Sequence, residues 1–557
     1  MQIKMNRLFL VVIFLISSLL GSQGNFSGDL QWNAKIFDTD SKIGAAGTPF
    51  YNWSKFGSDS WLSLQYHHES QLELGFRFDM FNNTDLFSGG IFQENGLGLG
   101  SFYLQKKVKG LTITAGYIYD QFGSGAVFRS FENRGLGLDY PLVGMRVQYD
   151  ISSHIFVKGL AGKLKDMRGF VANKEQKSFI EIFDPVIKGF NAEGRFEIDS
   201  GRISIYPGLA FINRTIDDGS MNVIASQINA QPVSSRFVPK YNVYTYSLYS
   251  HIKLGGVNLF AEYGSKTKDV LADTRPGVSI PGQLIDQAGQ YIYGSAVYSS
   301  KGFGISLSAR DTRFFEMRTS PLQTNLEGII NFLPPMTRQN SLRLPARYQA
   351  NSQALDESAF QMDMIIKPAK GLVFSVNSSY VFNDNEDLFR ELLIDTELKK
   401  PGKKYKMMGG IQMVDYNRKA YQQKGDWINT FTPFYEFTYK LTKRKSLRAE
   451  AQYLLTKRNS RLFGMQDDHP DNLQDLGDWV YGLIEFNIAP HYSFSVSDMY
   501  NIDREINYYD IYTSFTKGPN RFSLGYSKQV EGIICTGGVC RYEPAFSGVK
   551  MSLTSTF

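Results

Sequence analysis

Cysteine is almost missing: Cys535 and Cys540 are the only two in 557 residues. They bracket Thr-Gly-Gly-Val, and no further ligands lie nearby to make a metal site of them. Charged residues make up only 20% of the chain, and 60 basic against 54 acidic side chains leave +6, too little to imply a nucleic-acid partner. The six histidines are scattered; His67 and His68, adjacent on a strand, would point to opposite faces and share no metal. There is no Gly-x-Ser-x-Gly elbow, phosphate-binding glycine loop, dinucleotide fingerprint or His-Glu-x-x-His. These absences leave no positive sign of an enzyme, a metal or a cofactor, and none is expected. Low charge with many aromatics also excludes a disordered chain.

Aromatics reach 14%, with 32 Tyr and 42 Phe, alongside 51 Gly, yet mean hydropathy is −0.26. A barrel gives that combination, because an apolar outer face averages against a polar lumen. The alternation is plain in the chain. Leu72, Leu74, Phe76, Phe78 and Met80 fall on one face, and Glu73, Gly75, Arg77 and Asp79 on the other. Similar apolar faces run through Leu111 to Tyr119, Val143 to Tyr149, Tyr244 to Leu254, Phe303 to Ala309 and Phe431 to Leu441. Pro433, which removes a ladder donor, is expected near a strand end or a bulge. The last stretch, Val549, Met551, Leu553, Ser555 and Phe557, repeats the pattern and ends on an aromatic. It is expected to close against the first strand and to carry the signal read by the barrel-assembly machinery, with Phe557 as its terminal residue.

Connections alternate between two kinds. Short turns such as Lys107-Val-Lys-Gly110, Leu254-Gly-Gly256, Pro368-Ala-Lys-Gly371 and Lys517-Gly-Pro-Asn520 carry hairpin residues. Longer polar loops separate them, the longest from Phe314 to Ser358. Short turns on one side and long loops on the other describe an outer-membrane barrel. The fold expected is all-β: a transmembrane antiparallel barrel of about 24 strands, between about 22 and 26, with no separate plug domain. Alternation starts too early for the preceding plug of a TonB-dependent transporter. Lys4 and Arg7, the apolar run Leu8 to Leu20 and Ser22-Gln-Gly24 read as a cleaved secretory signal over 1–24, leaving 25–557 as one barrel domain in the bacterial outer membrane. In an exported chain Cys535 and Cys540 are expected to form a disulfide.

Three stretches carry a resemblance: Gly123-Ser-Gly-Ala-Val-Phe-Arg-Ser-Phe-Glu-Asn-Arg134 with Gly-Leu-Gly-Leu-Asp139, Phe332-Leu-Pro-Pro-Met-Thr-Arg-Gln-Asn340, and Thr432-Pro-Phe-Tyr-Glu-Phe-Thr-Tyr-Lys440. Together they resemble an uncharacterised family of outer-membrane barrel proteins of the Bacteroidota. The resemblance implies location and fold, and it carries no catalytic assignment.

The lumen is therefore the functional surface to examine. Two loops are expected to fold into it and constrict it, one with Arg129, Glu132, Arg134 and Asp139, the other with Arg318, Arg338, Arg343 and Arg347. The function this supports is a porin-like channel whose solute passage is limited by those loops. The alternative is a structural barrel, filled by its own loops, that docks a lipoprotein or secretion partner. Outer-membrane lipid is the expected surrounding in either case.

Overall fold

The two-residue period seen in the sequence builds one continuous wall. The computed structural model describes residues 24–85, 94–165, 186–275, 278–323, 328–422, 427–456, 477–536 and 539–557; for 94, 95, 533–536 and 539–541 it describes the backbone alone. The expected signal segment, 1–24, lies outside these residues except for Gly24, at which the first strand, Gly24–Phe37, begins. Each strand pairs antiparallel with its sequence neighbour in the wall, from Gly24–Phe37 and Phe56–His68 onward. Val186–Gly194 and Phe196–Ile198 both pair with Ile203–Thr215 and are one wall strand interrupted at Arg195. The 25 strand segments of the sheet therefore make 24 wall strands.

The wall closes on itself. Phe546–Thr556 pairs on one side with Asn520–Gln529 and on the other with Gly24–Phe37, in a register that sets Trp32 against Leu553 and Ile36 against Val549. At this seam Gly548 adopts φ +142 against the backbone of Ile36, a close approach that any side chain would block. Closure removes both open edges, the condition for a sheet to stand in hydrocarbon.

Side chains on the two faces have different surroundings. Leu248 (65% exposed), Ile484 (61%) and Val496 (55%) project outward with nothing packed on them, positions only a membrane would cover. Towards the turn end the outer face turns aromatic: Tyr492 packs on Phe515 with ring centroids 5.1 Å apart and on Phe494 at 6.3 Å, as expected of an interfacial girdle. No described helix is long and apolar enough to cross a membrane; the strands do so. The protein is an outer-membrane barrel, and the bacterial outer membrane is its location. The first and last strands meet at the end carrying the short turns, where Gly24 pairs with His68, which is the periplasmic end in such barrels.

Two local readings change. Pro433 lies inside Trp427–Lys440, away from its ends, paired with Ile411 on one side. On the other side the ladder skips it: Phe431 bridges Leu455 and regular pairing resumes at Phe434 and Gln452 in the same register. The missing donor thus costs a local gap in one ladder, with no bulge. Second, one loop contains a helix, Asp218–Ala230, capped by the Asp217 carboxylate accepting from Ser220 N at 2.8 Å. Its Met221, Ile224 and Ile228 pack on Val270 and Leu284.

Cys535 and Cys540 stand opposite each other in the hairpin Gly532–Thr536 and Val539–Glu543. Their side chains lie outside the described residues.

Candidate functional site

A barrel of 16–18 strands already leaves an aqueous channel, so 24 strands enclose more space than their own side chains fill. Among the described residues, two long loops fold into it, beside the connection that carries Ile43, Phe50 and Tyr51. The first follows Leu111–Ile118 and forms two small hairpins, Asp120–Phe122 with Phe128–Ser130 and Glu132–Asn133 with Leu138–Asp139. Its tip turns at Gly123 (φ +53), where Glu262 Oε1 would lie 2.7 Å from an added Cβ, so the tip meets the wall only because glycine stands there. The Glu262 carboxylate accepts from Ser124 N at 3.0 Å, in the turn-proximal half of Val257–Asp273. Phe122, Val127 and Phe128 pack in one cluster with wall residues Ile187, Ile212 and Tyr291.

The sequence-selected residues of this loop converge. Arg77, on the wall and buried, donates Nε and Nη2 to Asp79 at 2.6 and 2.8 Å, Nη1 to Glu132 at 2.8 Å and Nη2 to Asp139 at 2.5 Å. Asp139 also accepts from Lys165 Nζ at 2.8 Å and Tyr119 Oη at 2.6 Å. Glu132 accepts from Arg134 Nε at 2.6 Å, and Arg134 reaches Asp29 of the first strand at 3.5 Å. Arg129 does something different: its guanidinium lies 4.1 Å over Phe332 and 4.5 Å over Phe131, and burial pushes its pKa down.

Burial alone would push the Asp139 carboxyl up, but the Lys165 ammonium and the Arg77 guanidinium outweigh it and hold it at about 2, below the ordinary 3.8. A depressed carboxylate stabilises the folded loop fully above 3.8, and that contribution disappears as pH falls towards about 2. The fluorescence of Trp61, which Arg134 covers at 5.5 Å, is therefore expected to hold steady on mild acidification and to change over that interval. A Trp61→Phe variant isolates the signal; a change complete well above 3.8 would contradict the assignment.

The second loop runs between Phe303–Arg313 and Asp356–Ala369. The wall clamps its start: Arg214 Nη1 donates to the Arg318 carbonyl and Lys266 Nζ to the Glu316 carbonyl, each at 2.6 Å. Both cations are buried and share Asp269, at 2.5 and 3.2 Å. Further along, Arg310 donates to the Pro334 carbonyl and to Ser352. Asn340 donates to Glu391 at 3.2 Å, Leu344 N to Gln452 at 2.7 Å, and Gln412 to the Pro345 carbonyl at 3.0 Å. The loop goes deep: Leu342 packs on Leu393 and Phe434, mid-strand residues of the inner face, and Arg338 meets Asp395, near the turn end of Asp387–Leu398, at 3.3 Å.

The four arginines of this loop do not form one constriction. Arg318 pairs with Glu316 at 2.7 Å, Arg338 with Asp395, and Arg347 lies 4.1 Å over the ring of Trp479. Arg343 differs: it is exposed and makes no hydrogen bond or ion pair among the described residues. Finally, the two loops are joined. Arg129 N donates to the Ile330 carbonyl at 2.7 Å and Phe332 N to the Gly125 carbonyl at 2.9 Å. Together they make one internal plug.

At the seam, Phe557 exchanges backbone hydrogen bonds with Gly28, at 2.8 and 2.9 Å, and its ring faces outward, 61% exposed. The acidic stretch at 383–387 is satisfied by its neighbours: Asn383 accepts from the backbone of Asn385 and Glu386, Glu386 accepts from Asn417, Asp384 pairs with Arg313, and Asp387 pairs with Arg390. A family model described as "Family of unknown function (DUF6029)" matches residues 5–557. The chain belongs to this family. Among curated proteins none matches it in sequence. Of solved structures, it is similar to OprB of Pseudomonas putida (13% identity, 72% of this chain and 95% of that one, TM-score 0.34). It is also similar to OpdK of Pseudomonas aeruginosa, solved with vanillate (12%, 70% and 93%, 0.36), and to the siderophore receptor PirA of that organism (8%, 96% and 81%, 0.39).

For this DUF6029 member, sequence reasoning missed the wall side of the plug. Phe434, Leu393, Tyr291, Trp479 and Tyr416 are apolar or aromatic residues on the lumen face, each nearly buried. The available signal was their position: each interrupts the polar half of an alternating strand.

Proposed function

We propose that this protein is an outer-membrane channel whose passage is limited by the two inward-folded loops. The observation that carries the reading is the depth of the second loop beside an open side chain. Leu342 is packed at mid-barrel, and the next residue, Arg343, is exposed. An exposed arginine at that depth needs water around it, because an ionised group left dry and unpaired is strongly disfavoured. Water therefore reaches the plug at that depth. The plug itself is held by charged and amide hydrogen bonds to several wall strands, an arrangement that restricts the lumen. In this reading the Phe557 strand serves barrel insertion and Cys535–Cys540 close a ring in the last outer loop.

Planar-bilayer recording of the purified full-length protein tests this. The expected result is a steady conductance well below that of a plug-deleted variant. A barrel that passes no ions with or without the loop would instead serve as a structural partner for other envelope proteins.

A further inference from the structure

We propose that one arc of the periplasmic rim is a binding surface for anionic phospholipid headgroups of the inner leaflet. The arc consists of three consecutive short turns, 367–371, 399–404 and 440–445. It would serve the barrel in this way whether or not the lumen conducts.

The three turns carry two, four and four lysines or arginines and not one acid. All ten side chains are exposed, and none makes an ion pair among the described residues. The turns belong to six successive wall strands, from Asp356–Ala369 to Lys445–Leu454. At about 4.8 Å from strand to strand, the arc is roughly 25 Å long. The turns are also tied to one another: Lys399 N donates to the Gly371 carbonyl and Lys440 N to the Lys404 carbonyl, each at 2.6 Å. By contrast, the turn around 195–202 balances its own charges, Arg195 meeting Glu197 at 3.6 Å and Arg202 meeting Asp199 at 3.5 Å.

The acids on these strands face the other way. Asp395, Glu397, Glu436 and Glu450 point into the lumen and are held there by Arg338, Lys406 and Arg448. Asp363, also on the lumen face, accepts from the amides of Gln361 and Asn377. These five acids against three cations offset only a small part of the ten on the rim. The outer face directly above the turns is aromatic. Tyr405 and Tyr439 stand opposite each other, Phe437 packs on Tyr439 with ring centroids 6.4 Å apart, and Phe374 is exposed. Such rings sit where hydrocarbon meets headgroups. Lys404 and Lys440 each stand one residue from a ring, about 3.4 Å further from the hydrocarbon. That is the level of lipid phosphates, which a lysine reaches by extending its stem, and each base there adds to the attraction of an anionic leaflet. An acidic soluble partner would need no aromatic belt beside the cations; a lipid surface does.

The test places the full-length protein in nanodiscs of equal phosphatidylglycerol and phosphatidylcholine and counts the retained lipids by native mass spectrometry. The wild-type protein is expected to retain phosphatidylglycerol over phosphatidylcholine several-fold. Lys399→Gln, Lys400→Gln, Lys403→Gln and Lys404→Gln together are expected to remove most of that preference. The control removes as many exposed cations from the loop end, by Lys42→Gln, Lys240→Gln, Lys268→Gln and Lys419→Gln, and is expected to leave the ratio unchanged. Heat-dependent gel mobility verifies that each variant is folded. Should the fourfold turn variant fail to fold, Lys443→Gln with Arg444→Gln serves, with a proportionate drop. A wild-type protein without preference, a turn variant that keeps it, or an equal loss in the control overturns the proposal. So does binding of hexaglutamate to protein held in phosphatidylcholine alone that shows no preference for phosphatidylglycerol, which would assign the arc to an acidic protein instead.

Discussion

Deleting residues 320–350 is expected to raise single-channel conductance several-fold. The wall should survive the deletion, because every wall strand is paired on both sides and none draws its ladder from this loop. What is lost is the filling. Leu342 leaves Leu393 and Phe434, Asn340 leaves Glu391, and the backbone at Leu344 and Pro345 leaves Gln452 and Gln412. The freed polar groups are rehydrated, and the vacated space fills with water continuous with both mouths. The first loop is expected to loosen as well, because its Gly125 and Arg129 backbone partners, Phe332 and Ile330, lie in or beside the deleted stretch. Recordings at fixed salt, on protein verified as folded by its heat-dependent gel mobility, decide the matter. Equal conductance before and after would mean that the loop does not limit passage.

The second large effect concerns Arg77. Its guanidinium is 3% exposed and is shared by Asp79, Glu132 and Asp139. Arg77→Met would leave three carboxylates around an uncharged side chain, with Lys165 and Arg134 as the remaining cations nearby. Breaking a buried ionic network from one side typically costs about 3–5 kcal/mol. Arg77→Lys is expected to recover only part of that, because one ammonium cannot reproduce a planar fork reaching three acids. Urea unfolding in detergent reads the loss as a lower midpoint. The first loop, held to the wall by this network, should release before the barrel unfolds. A midpoint unchanged in Arg77→Met would show that the network contributes nothing net.

The wall was legible because each strand reports its two faces directly. Leu72 to Met80 alternate in the chain and alternate between membrane and lumen in the fold. Hairpin turns such as Leu254-Gly-Gly256 announced themselves by residue type, and the closure of the last strand on the first followed from the demand that no edge remain open. The plug was legible only in outline. A loop between Phe303–Arg313 and Asp356–Ala369 is too long merely to join neighbouring strands, which says that it goes somewhere but not where. Its destination depends on contacts between residues far apart in sequence, such as Arg338 with Asp395 and Leu344 with Gln452. Arginine content suggested one constriction; instead Glu316, Asp395 and the ring of Trp479 each take one arginine, and Arg343 stands exposed. Lumen-facing Phe434 and Trp479 were the overlooked sign. A polar lumen has no use for them, so each marks a place where something apolar or cationic packs.

The most direct test of the account is whether the second loop stands at mid-barrel in the membrane. In a Cys535→Ser, Cys540→Ser background, Asn340→Cys and Glu391→Cys replace side chains that meet at 3.2 Å. Exposed to a short thiol cross-linker in outer-membrane vesicles, this pair is predicted to cross-link within one molecule. Asn340→Cys alone is predicted to react slowly with a bulky impermeant maleimide. Absence of the cross-link together with rapid maleimide labelling would place the loop outside the barrel and contradict the account.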